Sequence, residues 1–151
     1  MLFRSNHHSE RKVASLRLSQ WSVAAGLIAE RPWLGWGAAA FSLIYPLRTG
    51  HWHGHPHNLP IDLALSHGLP AALLVVGFVL VLLLRTFRPA VLRGGVYDRG
   101  WWTAALVLVG LHATDMPFYD SRINVAGWIL LAGLEALRQA RPSDPAGAAT
   151  A

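Results

Sequence analysis

The run from Gly68 to Leu84 (GLPAALLVVGFVLVLLL) constrains this chain more than any other stretch, because it carries seventeen consecutive residues without a charge. A bilayer core is crossed by about 17 to 25 predominantly apolar residues in helical form. The surrounding composition agrees: 53% of the residues are hydrophobic and 14% are charged, where soluble domains carry roughly 25% charged residues. The run therefore predicts a membrane-spanning helix.

Two further spans are expected, from Trp101 to about Thr114 and from Ile123 to Leu137. The first opens on a Trp pair suited to the headgroup boundary, and the second holds Trp128 and one late acid, Glu135. Arginine placement orients them. Arg85, Arg88, Arg93 and Arg99 lie between the first two spans, Arg138 and Arg141 follow the third, and only Arg122 lies between the second and third. Positive loops stay cytoplasmic. The expected location is a bacterial inner (plasma) membrane, crossed several times, with the C-terminus cytoplasmic and the His57 loop and the Asp115–Arg122 turn together on the periplasmic or external face.

The net charge of +5 does not point to nucleic acid, since the basic residues flank apolar runs, where they meet anionic headgroups, and no basic aromatic motif accompanies them. The absence of cysteine excludes disulfides and thiolate metal sites. The polar, basic N-terminus (MLFRSNHHSERK) has no apolar core behind it and is not a signal peptide.

The expected fold is an all-α integral membrane protein, with about three transmembrane helices plus an N-terminal amphipathic helix and an external loop carrying a short helix. Residues 1–18 read as a basic arm, 19–137 as the membrane domain and 138–151 as a disordered cytoplasmic tail. Ser19 is a plausible cap for a helix running to Glu30, and Pro32 disfavours helical geometry at Arg31 and so ends it. An external loop follows to Pro56. Three spans of this length bury little surface against one another, so the chain is expected to be part of something larger, a longer protein or an assembly with a second chain supplying further spans.

The segment from His57 to Pro70 carries the most chemistry. Asn58 can cap a helix with Pro60 in its first turn, and Gly68 can end that helix in a left-handed conformation before Pro70 opens the span. Free backbone N–H groups and a partial positive charge at its N-terminus, beside His57, favour a phosphate or another anion. On the same evidence Asn58 serves as a cap alone and His57 as a polar loop residue. Asp62 and Ser66, at i and i+4, share one helical face and are expected to be solvated.

A different reading starts from HWHGHPH, in which His51, His53, His55 and His57 alternate. In an extended segment alternate residues share a face, so several imidazoles could converge on Zn, Cu or Ni in a metal-binding membrane subunit. No carboxylate or thiolate stands beside the tract in sequence. A third reading is solute transport, for which ionisable residues at mid-membrane depth are few. His112 comes nearest, and is expected to be paired to a backbone carbonyl.

Taken together, Arg31-Pro-Trp-Leu-Gly-Trp-Gly, Tyr45-Pro46, and His57-Asn58 followed by nine residues and Gly68 resemble the conserved end of the O-antigen ligase superfamily, which includes O-antigen polymerases and a cyanobacterial group once named as bicarbonate transporters. Arg17 four residues before Trp21, and the stretch from His112 through Asp115, Tyr119 and Asn124 to Trp128, extend the resemblance over about residues 17 to 137. Ala71 stands where the family pattern has a second glycine. Members usually have ten or more spans, so the resemblance covers their C-terminal portion.

The resemblance implies glycan transfer from a polyprenyl-diphosphate-linked donor to a sugar hydroxyl on a lipid or glycan acceptor, with inversion and without a required metal or cofactor. Membrane lipids are the other expected partners. An acceptor hydroxyl gains nucleophilicity when a base takes its proton, and an imidazole, with an ordinary pKa of about 6.5, suits that task; His57 is the candidate. Arginine binds a leaving diphosphate through two fixed donors, which makes Arg17 and Arg31 candidates and Arg48 a weaker one. Asn58 orients His57, and Asp115 is a candidate for a second polar contact.

Overall fold

The computed structural model describes residues 3–139. They form five α-helices: α1 (Phe3–Glu30), α2 (Ala40–Thr49), α3 (Leu59–Phe87), α4 (Val96–Leu111) and α5 (Ser121–Gln139), with a π-turn over Arg88–Leu92 and a 3₁₀ turn over Pro117–Tyr119. There is no strand among the described residues, which agrees with the all-α expectation.

Several boundaries differ from those expected. α1 does not begin at Ser19 but runs unbroken from Phe3 to Glu30, because no Pro or Gly interrupts the residues ahead of Ser19 and those from Glu10 to Leu18 include several good helix formers. Its C-terminus falls where Pro32 demands. The stretch expected to be a loop up to Pro56 holds an unexpected helix, α2, despite Pro46 within it and an Ala39 N-cap that makes no side-chain cap bond. Local signals disfavour α2, and burial of Ala40, Phe41 and Tyr45 with Ala24 and Leu27 of α1 and Leu65 of α3 overrides them. Helical backbone continues to Gln139, and the rest of the tail expected over 138–151 lies outside the described residues.

The helix from Leu59 through the π-turn to Leu92 is long and apolar enough to cross a membrane, with a mean hydropathy of 2.5 in its most apolar window and only 22% of that window buried. Leu73, Leu74, Phe78 and Leu84 are all more than half exposed, a surface suited to lipid. The segments expected to form the other two spans are helical, as α4 and α5, but among the described residues only the α3 helix meets both length and hydropathy. Toward its far end α3 packs through Leu82 and Leu83 against Ala105 of α4 and Leu134 of α5. Pro89 lacks an N–H, and the chain there takes the wider turn in which Arg93 N–H donates to Arg88 O at 3.1 Å.

What holds the near end together is a break in α3. Gly68 adopts φ 84° and ψ 165°, a conformation that glycine alone adopts readily, and Pro70 has no N–H to offer Ser66 O. The carbonyls of Leu65 and Ser66 thereby lose their helical partners. The loop after α1 replaces them: Trp36 N–H donates to Leu65 O at 2.8 Å and Gly37 N–H to Ser66 O at 3.0 Å, while Leu69 N–H donates to Pro32 O at 2.7 Å. The backbones approach so closely that a Cβ on Gly35 would lie 2.6 Å from Leu65 O, and one on Gly68 would strike the Trp33 carbonyl. Trp36 Nε1–H donates to Leu27 O at 2.8 Å and ties the same loop to α1.

Gly35→Ala and Gly68→Ala each combine a left-handed φ with a backbone clash, and each is expected to cost on the order of 3 kcal/mol, in the range reserved for broken cores. Gly77→Ala meets nothing within 4 Å and is expected to be neutral or to stabilise by up to about 1 kcal/mol. Thermal melts of the three variants in one detergent test this ranking, and equal melting temperatures would overturn the splice as the organising contact.

Candidate functional site

Asn58 caps the first segment of α3 as expected: its backbone is extended and its Oδ1 accepts from Ile61 N–H at 3.0 Å. Its Nδ2 also donates to Ala113 O at 2.8 Å, and Leu59 N–H donates to His112 O at 2.8 Å. Two of the groups at the helix start are therefore satisfied by the turn after α4. That turn carries Asp115, and the late segment expected on the same face as His57 lies in direct contact with it.

His57 has a φ of 52°, a left-handed conformation that histidine adopts more readily than most side chains. From there Nδ1 lies 2.9 Å from Asp115 Oδ1. The Asp115 carboxyl is held below its usual range, first by the His57 hydrogen bond, then by the Met116 backbone N–H, with smaller help from the charges of His57 and Arg17. An ionised carboxylate only accepts, so Nδ1 of His57 carries the proton in this bond, and Nε2 is the nitrogen left as acceptor in the neutral imidazole. This is the orientation in which an imidazole acts as a base.

Arg17 on α1 is half-buried, and its charge reaches Asp115. Arg31 lies elsewhere, its guanidinium carbon 4.1 Å from the centroid of the Trp36 ring, and Arg48 pairs with Glu30 at 2.8 Å. Of the expected residues, His57, Asn58 and Asp115 come together, Arg17 acts on Asp115 through its charge, and Arg31 stacks within the loop motif. His112 pairs with a backbone carbonyl, its Nδ1 lying 2.7 Å from Leu108 O.

Three features of the site are not evident from the sequence. His55 packs edge-on to His57, with ring centroids 4.3 Å apart, and stacks on Tyr119 at 5.5 Å. Burial, then the neighbouring His57, pushes the His55 imidazole down, which favours its neutral form. Trp21 Nε1–H donates to Pro56 O at 2.7 Å and anchors the loop immediately before His57 to α1. Asp62 and Ser66, expected to be solvated, are instead buried, at 8% and 4% exposure, because the spliced loop and the late turn cover that face; Tyr119 Oη–H donates to Asp62 Oδ2 at 3.3 Å.

The histidine tract does not act as a unit. His51 turns back to Thr49 O at 2.9 Å and His53 packs against Tyr45, so only His55 and His57 converge. The carboxylate that sequence neighbours did not supply comes from Asp115, 58 residues away from His57.

An apolar cavity of about 360 Å³ lies between α3, α4 and α5, lined by residues including Leu63, Leu74, Phe78, Leu108, Ile123 and Trp128. Its wall near the site includes Pro60 and His112.

Asn58→Ala removes both the cap and the bond to Ala113 and is expected to cost about 1 to 2 kcal/mol, whereas Asn58→Asp keeps the cap and loses only the Nδ2 donation. Amide exchange at Ile61 should rise strongly in the first variant and weakly in the second. Asp115 contributes stability to this junction that is complete above its unfolded pKa of about 3.9 and disappears as pH falls through its lower folded value. Acid melts of wild type and Asp115→Asn should therefore diverge above that range and converge below it; parallel curves would contradict the pairing.

Residues 2–76 match the family described as O-antigen ligase, a stretch that contains Arg17, Arg31, His57, Asn58 and Gly68 and ends within α3. No curated protein and no solved structure matches the chain. The family is an integral-membrane one with a ligase-like role in polysaccharide assembly, using lipid-linked glycans and acceptors in general. The match over residues 2–76 is to the O-antigen ligase family and is consistent with the C-terminal portion of that superfamily.

Proposed function

We propose that this chain supplies the catalytic end of a membrane glycosyltransferase that moves a glycan from a polyprenyl-diphosphate donor to a sugar hydroxyl at the external face of the membrane. The observation that carries the proposal is the His57–Asp115 pair at 2.9 Å. It stands at a helix start, within the electrostatic reach of Arg17.

In this reading the acceptor hydroxyl gives its proton to Nε2 of His57 as its oxygen bonds to the anomeric carbon. The bond from that carbon to the diphosphate oxygen breaks on the opposite face, which inverts the centre. Asp115 keeps the Nδ1 proton in place and stabilises the imidazolium that forms. Arg17 takes the charge developing on the departing diphosphate. Asn58 sets the backbone from which His57 projects, and Arg31, stacked on Trp36, supports the loop. The apolar cavity beside Pro60 and His112 gives a lipid chain a place below the polar site.

Glycan transfer should fall by about 10² to 10⁴ in His57→Ala, the usual worth of a positioned base, and by at least about tenfold in Asp115→Asn, while His51→Ala and His53→Ala retain wild-type rates. The measurement is transfer from a lipid-linked donor in membranes holding the chain with any companion spans it uses. Loss in His51→Ala with full activity in His57→Ala would sink the assignment.

A further inference from the structure

His55 Nδ1 is buried and has no hydrogen-bond partner among the described residues. An orphaned imidazole nitrogen of this kind costs free energy unless something else binds it. The glycan-transfer reading gives His55 no task. Its ring nevertheless faces His57, and His55, His57 and Asp115 each offer one ligand atom within 4.8 Å of the others.

In a tetrahedral zinc site, with bonds of about 2.0 to 2.2 Å, neighbouring ligand atoms stand about 3.3 Å apart. The trio reaches that spacing by contracting about 1.5 Å at its widest, within the range of side-chain rotation for a loop histidine and an exposed carboxylate. Two imidazoles and a carboxylate are a donor set for borderline divalent ions such as Zn²⁺, and unsuited to Mg²⁺ or Ca²⁺, which take oxygen.

We propose that His55, His57 and Asp115 form a binding site for a divalent transition-metal ion of the Zn²⁺ class, and that the bound ion blocks the site by taking Asp115 and His57 as ligands. Binding depends only on the three side chains. The block rests on the proposed function, since it acts by dissolving the His57–Asp115 hydrogen bond that presents the base. His55 is the residue that separates the two roles, because it ligates the ion and takes no part in the transfer.

The test uses the whole protein in detergent, titrated with Co²⁺ as a spectroscopic probe and then with Zn²⁺ as competitor. Expected are the visible bands of four-coordinate Co²⁺, their displacement by Zn²⁺, and at least tenfold weaker binding in His55→Ala and Asp115→Asn, with less than a twofold change in His51→Ala and His53→Ala. His55→Gln, with an unshifted melting temperature, checks that the loss is not unfolding. Graded loss across all four histidines overturns the site in favour of adventitious capture by the tract. In glycan transfer, Zn²⁺ should inhibit wild type and act at least tenfold less strongly on His55→Ala; equal inhibition of both, or none, overturns the block. If the metal-free protein transfers no glycan, the functional reading fails and the Co²⁺ titration still decides the site.

Discussion

The near half of this structure depends on a helix that is broken and then repaired from outside. Gly68 and Pro70 strip two carbonyls of their helical partners, and the loop from Pro32 to Gly37 restores the hydrogen bonding with its own backbone. An unsatisfied backbone group in an apolar setting costs several kcal/mol, so the loop is held to one position. That position fixes the end of α1 against the start of α3. It also explains why Gly35, Trp36 and Gly37 occur together: one permits the close approach, and the other two donate.

The polar site follows from the same arrangement. With α1 held against α3, Trp21 reaches the carbonyl of Pro56 and Arg17 comes near the loop that carries His57. The late turn closes the other side through Asn58, Leu59 and Asp115. Two segments far apart in sequence thus meet around one imidazole, with its donor nitrogen engaged and its acceptor nitrogen free.

Much of this was legible from residues alone. The cap at Asn58, the break at Gly68 before Pro70, the end of α1 before Pro32 and the apolar run behind Pro70 all follow from local stereochemistry, and the structure has each of them. Helix α2 was not legible, since Pro46 and an uncapped start argue against it and only burial of Phe41 and Tyr45 favours it. The starting point assigned to Ser19 failed because a serine that can cap need not do so when helix formers precede it. The buried faces of Asp62 and Ser66 and the convergence of His55 with Asp115 depend on long-range packing, and no spacing rule within one segment reports that.

The junction between Asn58 and the turn after α4 is made to main-chain carbonyls, those of Ala113 and His112. A carbonyl is offered by every amino acid, so such a joint places little demand on which side chains stand at 112 and 113. The family match ends at residue 76, and beyond it the fold completes the site through two main-chain carbonyls and one side chain, that of Asp115.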